Sequence, residues 1–308
     1  MKTIRVRFQW FDRDFDIRNN LLIDLLKTAQ FDVKHITNRS ASCDIEFVGT
    51  HKPISAKMSH KLASLKRVKF TEPLSEEDSL PSDYELNTSN FDRRIWYTNQ
   101  NLRPPAQAGF DGSLSFDQDN FRGFNAYCPS WYGEIGIDWS KISDLFNSDA
   151  VLGILKTGRK FNGSHQLKIG GFANHLNSLN SFAISEFRKS NDVITFSSQD
   201  RRSLHKILQG NQEFKFILCP EIDYYPGYVT KILFEAYLAG AVPIYFGDVG
   251  EDQNINREAF INAKDFPNIS DLVSFVCELQ PAAFNEIYEQ PLLVSTPSLS
   301  DVLSVIHG

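Results

Sequence analysis

Hydrophobic and polar residues alternate at the start of the chain, as they do in a β-strand with one buried face. The apolar positions of residues 3–11 are Ile4, Val6, Phe8 and Trp10. Leucines at helical spacing then predict a helix within residues 17–29. The segments that follow predict strands at 32–36, 43–49, 68–70 and 95–98 and a helix at 57–65. Strands that alternate with helices indicate a parallel sheet covered by helices, the α/β class.

The second half of the chain repeats this alternation. Its predicted strands are 169–173, 193–196, 214–219 and 242–246, and its predicted helices are 229–239 and 271–279. Residues 72–93 are rich in Pro, Ser and Asp and favour a surface loop, while the mixed polar stretch 145–167 favours a domain boundary. We therefore predict an N-terminal α/β domain over 1–150 and a C-terminal α/β domain over 151–308.

The composition agrees with two domains. The chain has 308 residues, of which 42% are hydrophobic and 23% charged, and its 25 phenylalanines suffice for two cores. The net charge of −6 gives no global basic field, which argues against a nucleic-acid partner. No apolar run reaches the roughly 18 residues of a membrane span, and the alternating start is not typical of a signal peptide. We expect a cytoplasmic protein whose four scattered cysteines are reduced and mostly buried.

The stretch 214–247 carries the most specific chemical signal, in the order strand, loop, helix, strand. Pro226 and Gly227 predict a turn at which the backbone can approach a ligand closely. Thr230 lies near the start of the predicted helix, where the N–H groups and the helix dipole favour a phosphate. From these residues alone, two interpretations stay open: an anion or nucleotide site at a strand–helix junction, or an ordinary strand–helix–strand unit.

The same stretch resembles the donor-binding signature of the α-1,3-fucosyltransferases, glycosyltransferase family ten. The matching residues are Glu221, Gly227-Tyr228-Val229-Thr230, Ala236, Gly240, Pro243, Tyr245 and Gly247, and the match continues through 259–262 and 265–266. A second match in the first half consists of Tyr97-Thr98, Asn101-Leu102-Arg103-Pro104 and Phe116-Asp117, and a weaker third match surrounds Asn174. The first two motifs occur in the family's order and at the family's separation along the chain.

This resemblance implies a GT-B-like fold, in which two Rossmann-like domains face a central cleft. It implies transfer of fucose or a related sugar from a nucleotide-sugar donor, GDP-fucose by resemblance, to a glycan acceptor on the N-terminal domain. Such enzymes need no metal for donor binding and hold no tightly bound cofactor. The implied setting is bacterial surface polysaccharide or lipopolysaccharide synthesis, with the protein peripheral to the inner membrane through its acceptor.

The resemblance places the donor in the C-terminal domain. The donor contacts that it implies are Asn174, Gly227, Tyr228, Val229, Thr230 and Lys231. Arg201 and Arg202, at the start of a predicted helix, are candidates for additional positive charge.

Several charged positions of the family are changed here. Gln100 stands where the family has a glutamate proposed as general base, and a neutral amide cannot accept the proton of the acceptor hydroxyl. Lys231-Ile232 replaces a Glu-Lys pair whose lysine helps to hold the donor pyrophosphate, so Lys231 is a candidate for the phosphate charge. The candidates for a replacement base are Glu221, Asp223 and Asp111.

Three functions stay open. In the first, the chain is an active transferase with a site rebuilt for another donor or acceptor. In the second, it is a catalytically inactive protein that binds a sugar nucleotide or glycan. In the third, it is a scaffold subunit of a glycan-assembly complex. The retained turn residues favour nucleotide binding, because a chain that only had to fold would not need that turn. The charges kept at Lys231, Asp223 and Arg201-Arg202 near the predicted donor favour the active transferase.

Overall fold

The computed structural model describes residues 1–11, 15–38, 40–50, 91–104, 109–137, 149–161, 169–172, 178–190, 193–196, 214–221 and 224–308. Its helices, numbered in chain order, are α1 Leu21–Thr28, α2 Trp131–Glu134, α3 Ala150–Thr157, α4 Ser178–Ser190, α5 Lys231–Leu238, α6 Ile269–Glu278, α7 Pro281–Glu289 and α8 Ser300–His307. The chain divides into two compact units, Met1–Cys128 with Leu299–Gly308, and Pro129–Ser298.

The first unit contains a six-stranded parallel sheet in the order β2-β1-β3-β4-β5-β6. The strands are β1 Lys2–Gln9, β2 Phe31–His35, β3 Cys43–Val48, β4 Phe91–Tyr97, β5 Gly112–Ser115 and β6 Asn125–Tyr127. Ile4 and Val6 are buried, so the alternation at the start of the chain does mark a half-buried strand. The sheet is therefore of the parallel type that the pattern predicts.

Helix α1 begins four residues later than the start of the predicted segment 17–29. Asn20 has an extended backbone, and its side chain accepts a hydrogen bond from the N–H of Ile23 (3.1 Å), which makes it the N-cap. The leucines that predicted the helix are buried, namely Leu21, Leu22, Leu25 and Leu26. Local capping therefore sets where the helix begins, and the apolar face determines that it forms.

A buried ionic row crosses the centre of this sheet. The strand register places Arg7 of β1 opposite Glu46 of β3, and Glu46 opposite Arg94 of β4. The Glu46 carboxylate accepts from Arg7 Nη1 at 3.1 Å and from Arg94 Nε at 2.7 Å, and all three side chains are nearly inaccessible to solvent. Removing one partner would leave a buried charge without compensation, so the row fixes the pairing of the three strands.

Helix α8, from the end of the chain, packs against β5 and β6 of the first unit. Arg93 of β4 donates from Nη2 to the carbonyl of Val305 (2.9 Å). A side chain at position 112 would place its Cβ 2.6 Å from Val305 Cγ1, so Gly112 allows the close approach of helix and strand.

The second unit contains a five-stranded parallel sheet in the order β11-β10-β9-β7-β8. The strands are β7 Ile169–Phe172, β8 Val193–Phe196, β9 Phe216–Pro220, β10 Val242–Phe246 and β11 Ile261–Asn262. The central strands β9 and β10 are buried along their whole length, as expected for a parallel sheet. Phe187, Phe216 and Phe284 lie in its core, which also receives side chains from α4, α6 and α7.

The structure corrects some of the predicted bounds. Residues 91–93 belong to β4, not to a surface loop, because Phe91 pairs with Cys43 of β3. The predicted helix 57–65 and strand 68–70 lie outside the described residues. The compact units also differ in extent from the ranges 1–150 and 151–308, whose acceptor and donor roles, and the cleft between them, stay predictions.

Candidate functional site

Polar side chains gather at the carboxyl ends of the central strands in the second unit. Glu221 directly follows β9, and Gly247 and Asp248 directly follow its neighbour β10. The Glu221 N–H donates to the carbonyl of Phe246 (3.1 Å), which extends the ladder by one bond. In open α/β sheets, ligands bind at this edge.

Glu221 joins three elements at this edge. Its side chain is buried, and Oε1 accepts hydrogen bonds from the backbone N–H of Thr230 (2.9 Å) and from the hydroxyl of Tyr245 (3.0 Å). Thr230 precedes α5 and Tyr245 lies in β10. The carboxylate therefore fixes the start of α5 relative to both central strands.

Burial raises the pKa of Glu221 to about 7, although the hydrogen bonds from Thr230 and Tyr245 act in the opposite direction. The carboxylate of Glu134 raises this pKa further. Near neutral pH, Glu221 is therefore divided between a charged and a neutral form, and Oε1 is able to accept hydrogen bonds in both.

The predicted turn at Pro226 and Gly227 is present. The Tyr228 N–H donates to the carbonyl of Tyr225 (3.0 Å), with Pro226 and Gly227 at the two central positions. Gly227 has φ of 84°, which a type II turn requires at its second central position. The Gly227 N–H donates to the carbonyl of Asp248 (2.9 Å), so the turn is connected to the residue just beyond β10.

Helix α5 begins immediately after this turn. Thr230 is its N-cap, and Oγ1 accepts from the N–H of Ile232 (3.4 Å). Lys231 is the first helical residue, and its ammonium lies 3.5 Å from Glu235, one turn along, with about half of the side chain exposed (47%). Tyr228 and Val229 are buried, and the Val229 carbonyl accepts a hydrogen bond from Ser130 (3.4 Å). Tyr228 and Val229, two of the predicted donor contacts, therefore lie in the interior of the second unit.

A second polar cluster lies beside the turn. Lys264 Nζ lies 2.6 Å from Asp248 Oδ2 and 5.9 Å from the centre of the Tyr224 ring. Burial favours a higher pKa for Asp248, but the bonds from Lys264 and from the Gly250 N–H outweigh it and lower the pKa. No sequence pattern predicts this cluster, because 16 residues separate Asp248 from Lys264 and only the pairing of β10 with β11 brings them together.

In the first unit, Gln100 follows the carboxyl end of β4. Its N–H donates to Thr98 Oγ1 (3.0 Å), its carbonyl accepts from the Leu102 N–H (2.8 Å), and the residue is exposed. Arg103 lies 3.1 Å from the buried carboxylate of Asp117, which follows β5. The ion pair brings together two of the three parts of the first-half match, Asn101–Pro104 and Phe116–Asp117.

Comparison with known proteins agrees with this arrangement. The family model of the C-terminal part of glycosyltransferase family 10 (fucosyltransferase) matches residues 174–289, which include β9, the turn, α5 and β10. Two solved structures of an α1,3-fucosyltransferase, one with GDP-fucose and one with GDP, align over 100% of this chain and 92% and 91% of theirs, with TM-scores of 0.66 and 0.65 at 15% identity. The α-(1,3)-fucosyltransferase FucT of Helicobacter pylori is 24% identical over 227 residues, 65% of this chain and 47% of that protein.

The chain resembles the glycosyltransferase family 10 fucosyltransferases. The structural likeness also confirms the predicted GT-B-like α/β fold. The chain spans less than half the length of the Helicobacter pylori relative. The activity, substrates and partners of this family 10-like chain therefore stay predictions.

The structure locates some of the site residues predicted from the family 10 resemblance. Gln100 belongs to the first unit, and Glu221, Gly227, Thr230 and Lys231 belong to the second. Asp111 precedes β5, where its carboxylate accepts from the Arg94 N–H (2.7 Å), so it does not lie at the carboxyl end of that strand. The remaining predicted residues lie outside the described part of the chain, namely Asn174, Arg201, Arg202 and Asp223.

Two further properties concern the described residues only. Over the ranges given above, none of the helices is long and apolar enough to cross a membrane. Within the same ranges, no three His, Cys, Asp or Glu side chains are grouped so as to hold a metal ion. Of the four cysteines, Cys43, Cys128 and Cys219 are buried, as predicted for most of them.

Proposed function

We propose that this chain is a fucosyltransferase-like glycosyltransferase that moves fucose or a related sugar from a nucleotide sugar to a glycan hydroxyl. One observation carries the proposal: the Glu221–Thr230–Tyr245 network fixes a helix start that follows a positive-φ turn, within the segment that matches the family 10 model. GDP-fucose is the proposed donor, since solved structures of similar fold hold GDP-fucose and GDP.

The turn and helix start suit a diphosphate. Gly227 has no side chain to obstruct a ligand, and the N-terminal end of α5 carries partial positive charge. Lys231 adds a full charge there. Its ammonium lies 3.5 Å from Glu235, and the lysine side chain is 47% exposed while the glutamate is 14% exposed, so the ammonium stays accessible to a phosphate.

In the proposed reaction, the acceptor oxygen bonds to C1 of the sugar as the bond from C1 to the phosphate oxygen breaks. The hydroxyl proton passes to a base, and the nucleoside diphosphate leaves. Gln100 cannot take that proton, but its amide can hydrogen-bond the acceptor hydroxyl. Glu221 is buried and engaged by two donors, which favours a positioning role. We propose Asp223, two residues further along, as the base.

Incubation with GDP-fucose and a panel of glycan acceptors tests the function. We expect release of GDP and a fucosylated product, and we expect Gln100→Glu to increase transfer, since it restores a carboxylate where the family has one. Loss of transfer in Gln100→Glu would show that the amide itself has a role. Clear binding of a nucleotide sugar without any release, from GDP-, UDP- and dTDP-sugars alike, would instead favour the inactive binding protein.

We expect Lys231→Ala to weaken GDP binding by about tenfold, or about 1.4 kcal/mol, because it removes the cation at the helix start. Isothermal titration calorimetry measures this directly. Lys189→Ala is a matched control, since Lys189 is also exposed and also pairs with a glutamate on its own helix, in this case α4. Equal affinities for wild type and Lys231→Ala would show that another cation binds the diphosphate.

The wider setting also belongs to this proposal. We propose a bacterial surface polysaccharide or lipopolysaccharide as the acceptor, with the protein cytoplasmic and peripheral to the membrane that carries it. The support is the likeness to a Helicobacter pylori enzyme. Fucose incorporation into purified lipopolysaccharide, compared with free oligosaccharides, tests this part separately.

A further inference from the structure

The resemblance implies a donor-binding lysine at a position that is apolar here. That position is Ile232, which is buried with 7% of its surface exposed. A nucleoside diphosphate carries several negative charges, and Lys231 supplies one cation at the helix start. The structure contains a second cation beside the same turn, Lys264, which is not among the residues that carry the resemblance.

Strand pairing places this cation at the carboxyl edge of the sheet. Strands β10 and β11 are parallel neighbours, with Tyr245 opposite Asn262. Asp248 lies two residues beyond the end of β10, and Lys264 lies two residues beyond the end of β11. The Asn262 side chain accepts from the Lys264 N–H (3.0 Å), which fixes the backbone from which the lysine extends.

Asp248 orients the ammonium of Lys264, and about half of the lysine side chain stays accessible to solvent. Asp248 Oδ2 lies 2.6 Å from Nζ, and Asp248 itself is buried and receives the Gly250 N–H at 2.9 Å. The centre of the Tyr224 ring lies 5.9 Å from Nζ, and Tyr224 is partly exposed (46%). The Lys264 side chain nevertheless remains 53% exposed. An ammonium has three N–H donors, so these two neighbours leave capacity for a ligand.

Asp248 connects the lysine to the predicted diphosphate site. Its carboxylate holds Lys264, and its backbone carbonyl accepts the N–H of Gly227 in the turn (2.9 Å). A single buried residue therefore sets the position of both the turn and the cation. Burying a carboxylate costs free energy unless it is paired, so Lys264 is held close to Asp248 and hence close to the turn.

We propose that Lys264 is a further binding residue for the diphosphate of a nucleotide-sugar donor, with Asp248 and Tyr224 as its positioning residues. The inference rests on the proposed function, since it assigns one more contact in the same donor site. The resemblance implies a lysine where this chain has Ile232. Lys264, which follows β11, would supply the positive charge in its place.

Lys264→Gln tests the proposal, because glutamine removes the charge but can still hydrogen-bond Asp248. Calorimetric titration with guanosine, GMP and GDP should show about tenfold weaker GDP binding, equal to about 1.4 kcal/mol, and unchanged guanosine binding. The affinity of wild type for GDP should also fall more steeply with added NaCl than that of the variant. Lys189→Gln is the matched control, an exposed lysine on α4 paired with Glu186.

The outcomes separate this inference from the proposed function. Wild-type binding of GDP with no change in Lys264→Gln overturns the inference alone, as does an equal loss for guanosine and GDP. Absence of nucleotide binding by wild type overturns both. A second measurement needs no variant: saturating GDP, but not guanosine, should protect Lys264 of the wild type from acetylation. Equal labelling with and without GDP, read by mass spectrometry, contradicts the inference.

Discussion

As the pH rises from about 4.5 to about 7, the unfolding free energy of the wild-type protein should fall by about 3 kcal/mol more than that of Glu221→Gln. The cause is the burial that raises the pKa of Glu221 from 4.5 to about 7. In that interval the folded state binds more protons than the unfolded state, so unfolding free energy falls as pH rises. The contribution is complete below the unfolded pKa and is lost once the pH passes the folded one.

Urea denaturation of both proteins at several pH values measures this difference. Glu221→Gln keeps an oxygen that can accept from Thr230 and Tyr245, and it has no titrating proton, so other ionisable groups cancel in the comparison. Glu221→Ala removes the acceptor altogether and should destabilise at every pH, because each buried donor left unpaired costs about 1–3 kcal/mol. Parallel pH profiles for wild type and Glu221→Gln would mean that the pKa of Glu221 is the same in the folded and unfolded protein.

Gly247→Ala should destabilise the protein by about 3 kcal/mol and weaken GDP binding by more than tenfold. A Cβ at this position would lie 2.5 Å from the hydroxyl of Tyr245 and 2.8 Å from Cγ of Glu221. Both neighbours are buried and hydrogen-bonded to each other, so neither can move without displacing the carboxylate that holds Thr230. The start of α5, where we propose that the diphosphate binds, should therefore shift.

Thermal unfolding and GDP titration of the same preparations check both parts of this prediction. Gly153→Ala is the control, because Gly153 lies inside α3 and an added Cβ there would meet nothing within 4 Å. Alanine is the better helix former, so that variant should be neutral or up to about 1 kcal/mol more stable. Wild-type affinity for GDP in Gly247→Ala would show that the Glu221 network does not shape the site.

Local sequence predicted the strands, the turn and the helix around the site, but it did not predict the contacts between them. The apolar runs predicted β9 and β10, and Pro226 with Gly227 predicted the turn. The predicted helix 229–239 begins two residues earlier than α5 does, because Thr230 is extended and caps the helix. The burial of Glu221 could not be predicted, since a carboxylate after a strand is usually exposed and its partner Tyr245 comes from the next strand.

Residues that act through strand pairing were the least predictable. Asp248 and Lys264 become neighbours only because β10 lies beside β11, and no local pattern states which strands are adjacent. The family resemblance also predicted the matching segments of the first unit. It did not indicate that Arg103 and Asp117 form an ion pair, because the two residues lie in separate segments of the match. The proposed roles of Asn174, Arg201, Arg202 and Asp223 rest on sequence alone and stay predictions.

The position of α8 has a consequence for how the protein can be dissected. Because Leu299–Gly308 belongs with Met1–Cys128, the second unit is a continuous insertion within a discontinuous first unit. A fragment spanning 129–298 contains the whole chain of the second unit, whereas a fragment ending at 128 lacks the helix that packs on β5 and β6. Separate expression of the first unit therefore calls for two complementing peptides, or for a linker that joins residue 128 directly to residue 299.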